Sequence, residues 1–365
     1  TSLSTIGTNI NDLTVSGTGV ITLTGDITTA DYTDGSEDVG AQSYSGAVVL
    51  SGGTRTVTAN SGAITFSSTI NSEANDAGNA SAARALSIVG IDGAVTISGA
   101  IGTGTNGTLG ALNINTAEAA GNTGTISLAA IGTDSAAGAA SITVGNSRTA
   151  TLTLGGAEYF STGTQTYESD DFNLTGTDIT IQTTNNNVTF QDGGTGQIVL
   201  SDGADLTIDT GSGAGNISIN PTIAGTAAGG ETTSEDITLD AGTGNIELLN
   251  TGAAVIATDI GDVTLTGTTI SVYDNITTTA TDSGGNAGVI DINGAFVLED
   301  SITIATNNAS IDFDTTIASD STPRALTIQQ GSGTVTVGGA IGGTASNDLG
   351  AITIGATGNN GNITP

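Results

Sequence analysis

Carboxylates are the side chains of this sequence most able to do chemistry, because Asp and Glu supply 36 of its 365 residues whereas Lys and Arg supply only 4. Two local clusters place several of them close enough along the chain to surround a hard cation such as Ca²⁺, which takes six to eight oxygen ligands. The candidate calcium ligands are Asp31, Asp34, Glu37 and Asp38 in the first cluster, and Glu168, Asp170 and Asp171 in the second. Calcium is therefore the one cofactor that the residues suggest.

A repeat built around calcium is not predicted. Secreted calcium-binding solenoids use a Gly-Gly-x-Gly-x-Asp nonapeptide. The nearest run here, Asp192-Gly-Gly-Thr-Gly-Gln197, lacks that Asp and does not recur every nine residues. The alternative interpretation of both acidic clusters is surface charge that keeps the chain soluble by self-repulsion.

Composition excludes most catalytic chemistry. The chain has no His and no Cys, so it has neither an imidazole base nor a thiolate nucleophile. Paired carboxylates can hydrolyse a glycosidic bond, but they need a shaped cleft around them. With 5 Tyr and 6 Phe, several of them in register with the repeat described below, an aromatic-lined cleft is not expected. We therefore predict no enzyme, no catalytic residue and no cofactor-binding residue; a β-helix enzyme acting on polysaccharides is the remote alternative.

Two classes of partner are excluded by the same composition. Four Arg and no Lys, with a net charge of −32, cannot form the basic surface that nucleic acid requires. Apolar runs are far shorter than the ~18 residues of a membrane-spanning helix. The sequence therefore predicts neither nucleic-acid binding nor a membrane span.

The elements that must position any site are short strands. Runs in which Thr alternates with Ile, Leu or Val recur along the chain, and Gly or Asn bounds most of them, which is typical of strands separated by tight turns. The clearest runs are Val20–Thr24, Ala63–Phe66, Ala94–Ile97, Thr151–Leu154, Asp178–Ile181, Val263–Thr266 and Thr334–Val337. No segment has a convincing 3.6-residue period, so the fold class is all-β.

A longer repeat organises these strands. Arg84-Ala-Leu-Ser-Ile88 returns as Arg324-Ala-Leu-Thr-Ile328, with a diverged Ala204-Asp-Leu-Thr-Ile208 between them. The leucines, Leu86, Leu206 and Leu326, are spaced by 120 residues. Recurrence of motifs in one order indicates a tandem array. We divide it into copy 1 (residues 1–125), the diverged copy 2 (126–247) and copy 3 (248–365), stacked as one continuous solenoid.

The repeat predicts a right-handed parallel β-helix of about 15–17 coils, with a coil length of roughly 20–25 residues and strands about 4.8 Å apart. Three features favour it over a string of three β-sandwich modules. The strands are shorter than those of sandwiches, no unit has an aromatic core residue comparable to a buried Trp or a tyrosine corner, and no Pro-bearing, charge-rich linker separates the copies.

Outward threonines are a further pattern, because Thr-x-Thr pairs place two hydroxyls on one face of a strand. Ice-binding solenoids present flat outward arrays of this kind. The pairs Thr22/Thr24, Thr264/Thr266 and Thr334/Thr336 do not recur at a constant coil interval. The sequence therefore predicts ordinary outward β-branched residues rather than a continuous array.

Several runs resemble the repeats of giant bacterial surface proteins, namely the filamentous-haemagglutinin-like, autotransporter-like and S-layer-associated β-strand-repeat proteins. They include Ala41–Leu50, Thr164–Tyr167, Gly93–Gly102 and Leu109–Ile114. The resemblance implies a β-solenoid that is exported to the cell surface and does structural or adhesive work, and it supplies no catalytic residues.

The function predicted from these patterns is an extracellular structural or adhesive segment, such as a rigid rod, stalk, sheath or filament, or the shaft of an adhesin. Expected partners are further copies of the protein, stacked end to end or laterally, and surface glycans or other cells. We also expect further copies beyond both termini, or stacking subunits. A ligand-binding adhesin would need loops outside the repeat, for which Asn71–Ala83 and Glu158–Asp171 are candidates; an S-layer-like lattice protein with calcium-dependent assembly is the other alternative.

Overall fold

The computed structural model describes residues 1–7, 10–30, 40–73, 83–104, 107–115, 124–133, 138–193, 196–226, 235–252, 254–257, 259–278, 288–342, 348–355 and 362–364. The chain divides into two compact units. The first comprises Thr1–Gly176 with Gln191–Gly193, and the second comprises Thr177–Phe190 with Gly194–Pro365. These units are defined by contacts within the fold, whereas the three copies are defined by sequence, so the copy boundaries stay a prediction.

The first unit is built from three ladders of short strands. Ladder I contains β1 (Ser2–Leu3), β3 (Ile21–Leu23), β6 (Val48–Leu50), β9 (Ile70–Ser72) and β16 (Glu158–Ser161), with Ile101 and Ile131 as bridges between β9 and β16. Ladder II starts at Ile6 and continues through β4 (Ile27–Thr29), β7 (Arg55–Ala59), β10 (Leu86–Gly90), β12 (Leu109–Ile114), β14 (Ala139–Gly145) and β17 (Gln165–Glu168). Ladder III contains β2 (Leu13–Val15), β5 (Gln42–Tyr44), β8 (Ile64–Phe66), β11 (Val95–Ile97), β13 (Ile126–Leu128), β15 (Thr151–Leu154) and β18 (Asp171–Leu174).

The second unit repeats this plan. Ladder IV contains β19 (Asp178–Thr183), β22 (Asp205–Asp209), β25 (Glu235–Asp240), the first halves of β27 (Ile260–Val272) and β29 (Ile290–Leu298), β31 (Ile311–Phe313), β34 (Thr334–Val337) and β36 (Asn362–Thr364). Ladder V contains β20 (Val188–Gln191), β23 (Ile217–Ile219), β26 (Asn245–Leu248), the second halves of β27 and β29, β32 (Ile317–Ser319) and Ile341. Ladder VI contains β21 (Gln197–Leu200), β24 (Thr222–Ala224), Ile256, β28 (Ile276–Thr278), β30 (Ile302–Thr306), β33 (Ala325–Gln329) and β35 (Ala351–Ile354).

Within each unit the chain visits the three ladders in order and then returns to the first of them one rung further on. Three strands therefore make one coil, and each strand pairs in parallel with its equivalent in the next coil. The described residues contain no helix. The predicted all-β parallel β-solenoid is confirmed, and the string of β-sandwich modules is wrong because sandwiches are built from antiparallel strands. The right hand of the coil stays a prediction.

Alternation in the sequence explains the strands directly. In β8 and β11 the outer residues of each triplet are buried and the middle Thr faces outward. The buried positions are filled by Ile, Leu and Val, each of which contributes about 1.5–3 kcal/mol relative to exposure. Aromatic residues also stack between rungs, since the rings of Tyr44 and Phe66 lie 4.7 Å apart and nearly parallel. The core is thus a series of thin apolar layers.

Coil length differs from the prediction. Leu152 pairs with Phe172, 20 residues on, whereas Ile223 pairs with Ile256, 33 residues on. The turns between strands absorb this variation, because the strand pairings themselves stay in register. Many coils are therefore longer than the expected 20–25 residues, and the chain makes fewer coils than the predicted 15–17.

The 120-residue repeat is not a whole number of coils. In the second unit, Leu206 lies on the second rung of ladder IV, and its repeat equivalent Leu326 lies on the sixth rung of ladder VI. In the first unit, the Gln-x-Tyr motif of Gln42 lies on the second rung of ladder III, and that of Gln165 lies on the seventh rung of ladder II. Both intervals equal four and two-thirds coils. The same sequence motif therefore lies on a different ladder in successive copies of the repeat.

Candidate functional site

The second acidic cluster lies at a corner between two strands of the first unit. Glu168 ends β17, Asp171 begins β18, and Asp170 is exposed between them. The other candidate ligands, Asp31, Asp34, Glu37 and Asp38, lie outside the described residues. Across the described part of the chain, no three Asp or Glu residues are grouped so that they could hold a metal ion. Calcium binding stays a prediction.

Many other carboxylates and amides have a structural task at the coil corners. Oδ1 of Asp205 accepts the backbone N–H of Asp236 at 3.0 Å, and Oδ1 of Asp236 accepts the N–H of Asp262 at 2.8 Å. Asn216 makes the same bond to the N–H of Asn245 at 2.9 Å. These side chains join each coil to the next at or near the start of a strand, because backbone donors there need an acceptor.

The two segments proposed as ligand-binding loops differ in outcome. Glu158–Asp171 is not a loop, because it contains β16 and β17, and Tyr159 pairs with Ile131 inside ladder I. Most of Asn71–Ala83 lies outside the described residues. The first segment therefore belongs to the coils and does not extend from them.

Buried polar side chains form two similar hydrogen-bonded clasps inside the first unit. Tyr44 Oη donates to Gln42 Oε1 at 2.6 Å, and Gln42 Nε2 donates to the carbonyl of Thr58 at 2.7 Å. Tyr167 and Gln165 repeat the arrangement at 2.7 Å. Burial raises the pKa of both tyrosines. Each hydroxyl therefore stays protonated at neutral pH and serves as a donor that fixes the coil.

Arg324 forms the ion pairs of the second unit. Its guanidinium contacts Asp320 at 3.0 Å and Asp300 at 3.3 Å. Arg324 and its repeat equivalent Arg84 share a further contact, since the backbone N–H of each donates to a serine Oγ, that of Ser319 or Ser72. These contacts give Arg324 a structural role at the start of β33.

The pair predicts a small pH effect. The hydrogen bond from Arg324 lowers the pKa of Asp320, so the pair stabilises the fold above the ordinary aspartate pKa and this contribution is lost as the pH falls through the lowered value. We expect Arg324→Gln to return the pKa of Asp320 toward its ordinary value, measured by NMR titration of the carboxyl carbon. Arg148→Gln, at an exposed turn, is the control, and an unchanged Asp320 titration in the Arg324 variant would contradict this assignment.

The outward face of ladder III is a regular array of hydroxyl groups. Its central column consists of Ser43, Thr65, Thr96, Ser127 and Thr153, each paired with the next across adjacent rungs. Two residues before them lie Ala41, Ala63, Ala94, Thr125 and Thr151, and two residues after them lie Ser45, Ser67, Ser98, Ala129 and Gly155. Backbone hydrogen bonds between rungs continue into both flanking columns. We call these three columns the hydroxyl face.

Two properties set the hydroxyl face apart in a chain of net charge −32. Over these five rungs, none of its three columns contains a charged or an aromatic residue. The next rung at each end carries a carboxylate in the same flanking column: Asp12 lies opposite Ala41, whose N–H its Oδ1 accepts at 2.8 Å, and Asp171 pairs with Thr151. Its Ser and Thr hydroxyls also make no hydrogen bond to another described residue. Inward threonines behave differently: Thr210 Oγ1, for example, donates to the carbonyl of Gly215 at 2.9 Å. The hydroxyl face therefore presents unpaired donors and acceptors to its surroundings.

The prediction that outward hydroxyls form no continuous array is wrong for this ladder. Coil intervals vary, but the variation lies in the turns, and the hydroxyls keep one register through five rungs. A signal was present in the sequence: Ser43-Tyr-Ser45, Thr65-Phe-Ser67 and Thr96-Ile-Ser98 all place two hydroxyls around one buried residue. Aligning the strands by that buried residue would have revealed the array.

Among the described residues, no helix is long and apolar enough to cross a membrane. Comparison with protein-family models, curated proteins and solved structures gives no match.

Proposed function

We propose that the chain is a structural segment of a protein at a bacterial cell surface, acting as part of a stalk, sheath, filament or adhesin shaft. The observation that carries the proposal is the continuous parallel pairing within each unit, in which strand after strand covers the apolar face of its neighbour. Solenoids of this kind gain stability from every neighbouring pair of repeats, so they suit a mechanical role.

The polar side chains support the same proposal. Carboxylates and amides join successive coils, the buried Gln–Tyr clasps are satisfied internally, and Arg324 pairs at a strand start. These hydrogen bonds and ion pairs hold the coils together. This structural role explains the polar side chains without assigning them a catalytic function. A surface of net charge −32 also keeps an exported protein soluble and unattached to polyanions.

The proposal is tested on the source cells. An antibody raised against the purified chain should label intact cells without permeabilisation, while an antibody against a cytoplasmic protein should label only permeabilised ones. Deleting the gene should remove a surface structure seen by electron microscopy or reduce attachment. Labelling that requires permeabilisation, or a deletion strain with unchanged surface and attachment, would show that the proposal is wrong.

A further inference from the structure

We propose that the hydroxyl face of the first unit binds ice. The inference concerns one face of one unit, and it stands or falls separately from the structural role proposed above. It starts from the position of the central column, where Ser43, Thr65 and Thr96 stand on consecutive rungs with their strands in unbroken register.

Register fixes the spacing of the hydroxyls in both directions. Neighbouring rungs lie about 4.8 Å apart, and residues two apart on one strand lie roughly 6.6–6.8 Å apart. The two hydroxyls of Thr65 and Ser67, or of Thr96 and Ser98, therefore repeat on a two-dimensional grid. These two repeats are close to the oxygen repeats on a prism face of ice, so successive hydroxyls can occupy successive lattice positions.

Chemistry selects ice over other flat partners. A hydroxyl both donates and accepts, which matches a water lattice, and the hydroxyls of this face are not bonded to other described residues. The face has no aromatic ring on which a sugar could stack, and its Ala and Thr methyl groups offer too little apolar surface to bury against a second copy.

The second unit provides a natural contrast. Ladder IV has a central column of Thr180, Thr207, Thr238 and Thr264, which pair from rung to rung as the hydroxyls of ladder III do. Carboxylates flank that column, including Asp205, Asp209 and Asp240. Charged groups hold their own hydration shells and cost free energy to desolvate. We therefore expect ladder IV not to bind ice.

The repeat also supplies a substitution that the fold accepts. Ile64-Thr65-Phe66 corresponds to Ile311-Asp312-Phe313, and Ser43 corresponds to Asp291. Asp291 and Asp312 pair on adjacent rungs of ladder IV, as Ser43 and Thr65 pair on ladder III. The double variant Ser43→Asp/Thr65→Asp therefore places on the hydroxyl face a pair of carboxylates that this type of strand already carries elsewhere.

The test is partition into slowly growing ice, with the full chain fused to a fluorescent protein. We expect the parent fusion to enter the ice, the fluorescent protein alone to be excluded, and Ser43→Asp/Thr65→Asp to lower incorporation at least about tenfold. The matched control is Thr207→Asp/Thr238→Asp on ladder IV, which should partition as the parent does. Circular dichroism and thermal unfolding check that each variant is folded.

Three results would overturn the proposal. The first is exclusion of the parent fusion from ice, including the case in which it binds an insoluble polysaccharide instead. The second is full incorporation of Ser43→Asp/Thr65→Asp into ice. The third is an equal loss of ice incorporation in the ladder III and ladder IV variants. If the double variant does not fold, Thr96→Tyr replaces it. Tyr is accepted at an outward strand position, but its ring projects beyond the neighbouring hydroxyls and would keep them from contacting ice. A folded Thr96→Tyr chain that still enters ice as the parent does would overturn the proposal equally.

Discussion

Replacing Gly93 by Ala is expected to destabilise the first unit by about 1–3 kcal/mol, the usual cost of forcing an extra carbon into a packed site. A Cβ at Gly93 would lie 2.1 Å from the carbonyl oxygen of Gly62, one coil away, and a Cβ at Gly124 would lie 2.1 Å from the carbonyl oxygen of Gly93. Backbone atoms cannot rotate aside as a flexible side chain can. The coils must separate locally, and the loss should appear as a lower midpoint of denaturant unfolding.

Gly19→Ala is the matched control for this prediction. Nothing lies within 4 Å of a Cβ at Gly19, and neither Gly19 nor Gly93 has the left-handed backbone that favours glycine. The control variant should be neutral or more stable by up to about 1 kcal/mol, because alanine reduces the freedom of the unfolded chain. Equal stability of the Gly93 and Gly19 variants would mean that the coils do not approach as closely as the structure has them.

Local pattern was sufficient to predict the strands in which the alternation is clearest. Thr151–Leu154 and Thr334–Val337 are strands with the bounds that alternation indicated, and Ala63–Phe66 contains β8. Alternation is informative here because most inward positions are apolar and Gly or Asn bounds most of the predicted strands, so few alternatives compete. The parallel stacking of strands was also predicted from the sequence, since short strands without linkers favoured a solenoid over a string of sandwich modules.

Coil length and register could not be predicted in the same way. Turns of different length lie between strands that pair in register, so equal spacing in sequence does not mark equal positions in space. The hydroxyl face was missed for this reason, because the intervals from Thr65 to Thr96 and from Thr153 to Asn173 differ although both pairs are direct neighbours. What sets register is the burial of one side of each strand, since a slip by one residue would expose it.

The offset between repeat and coil has a consequence for the surface. Because a copy spans four and two-thirds coils, an outward motif is transferred to another ladder in the next copy, where its neighbours differ. Thr65 lies between hydroxyls on ladder III, whereas its equivalent Asp312 lies beside Asp291 on ladder IV. One repeated sequence can thus give faces of different chemistry, and a repeat of whole coils would instead place each motif beside its own copies.

Removing the glutamine of the first buried clasp is expected to cost about 1–3 kcal/mol, the penalty for leaving a buried polar group without a partner. Gln42→Leu removes the acceptor of Tyr44 Oη and the donor to Thr58, while the side chains around them stay buried. Tyr44→Phe in the same chain then removes the stranded hydroxyl. Since both partners are gone, the double variant should recover part of the loss, and the double-mutant cycle should give a coupling of about 0.5–3 kcal/mol.

The third copy of the sequence indicates that this exchange is compatible with the coil. Aligned on Gly46 and Gly294, Gln42 and Tyr44 correspond to Ile290 and Ile292, which are fully buried on ladder IV. Gln42→Leu combined with Tyr167→Phe is the control, because these residues belong to different clasps and their effects should add within about 0.5 kcal/mol. If the Gln42→Leu and Tyr44→Phe effects also added, the bond between the two side chains would contribute nothing to stability, and the clasp would be a consequence of packing rather than a cause of it.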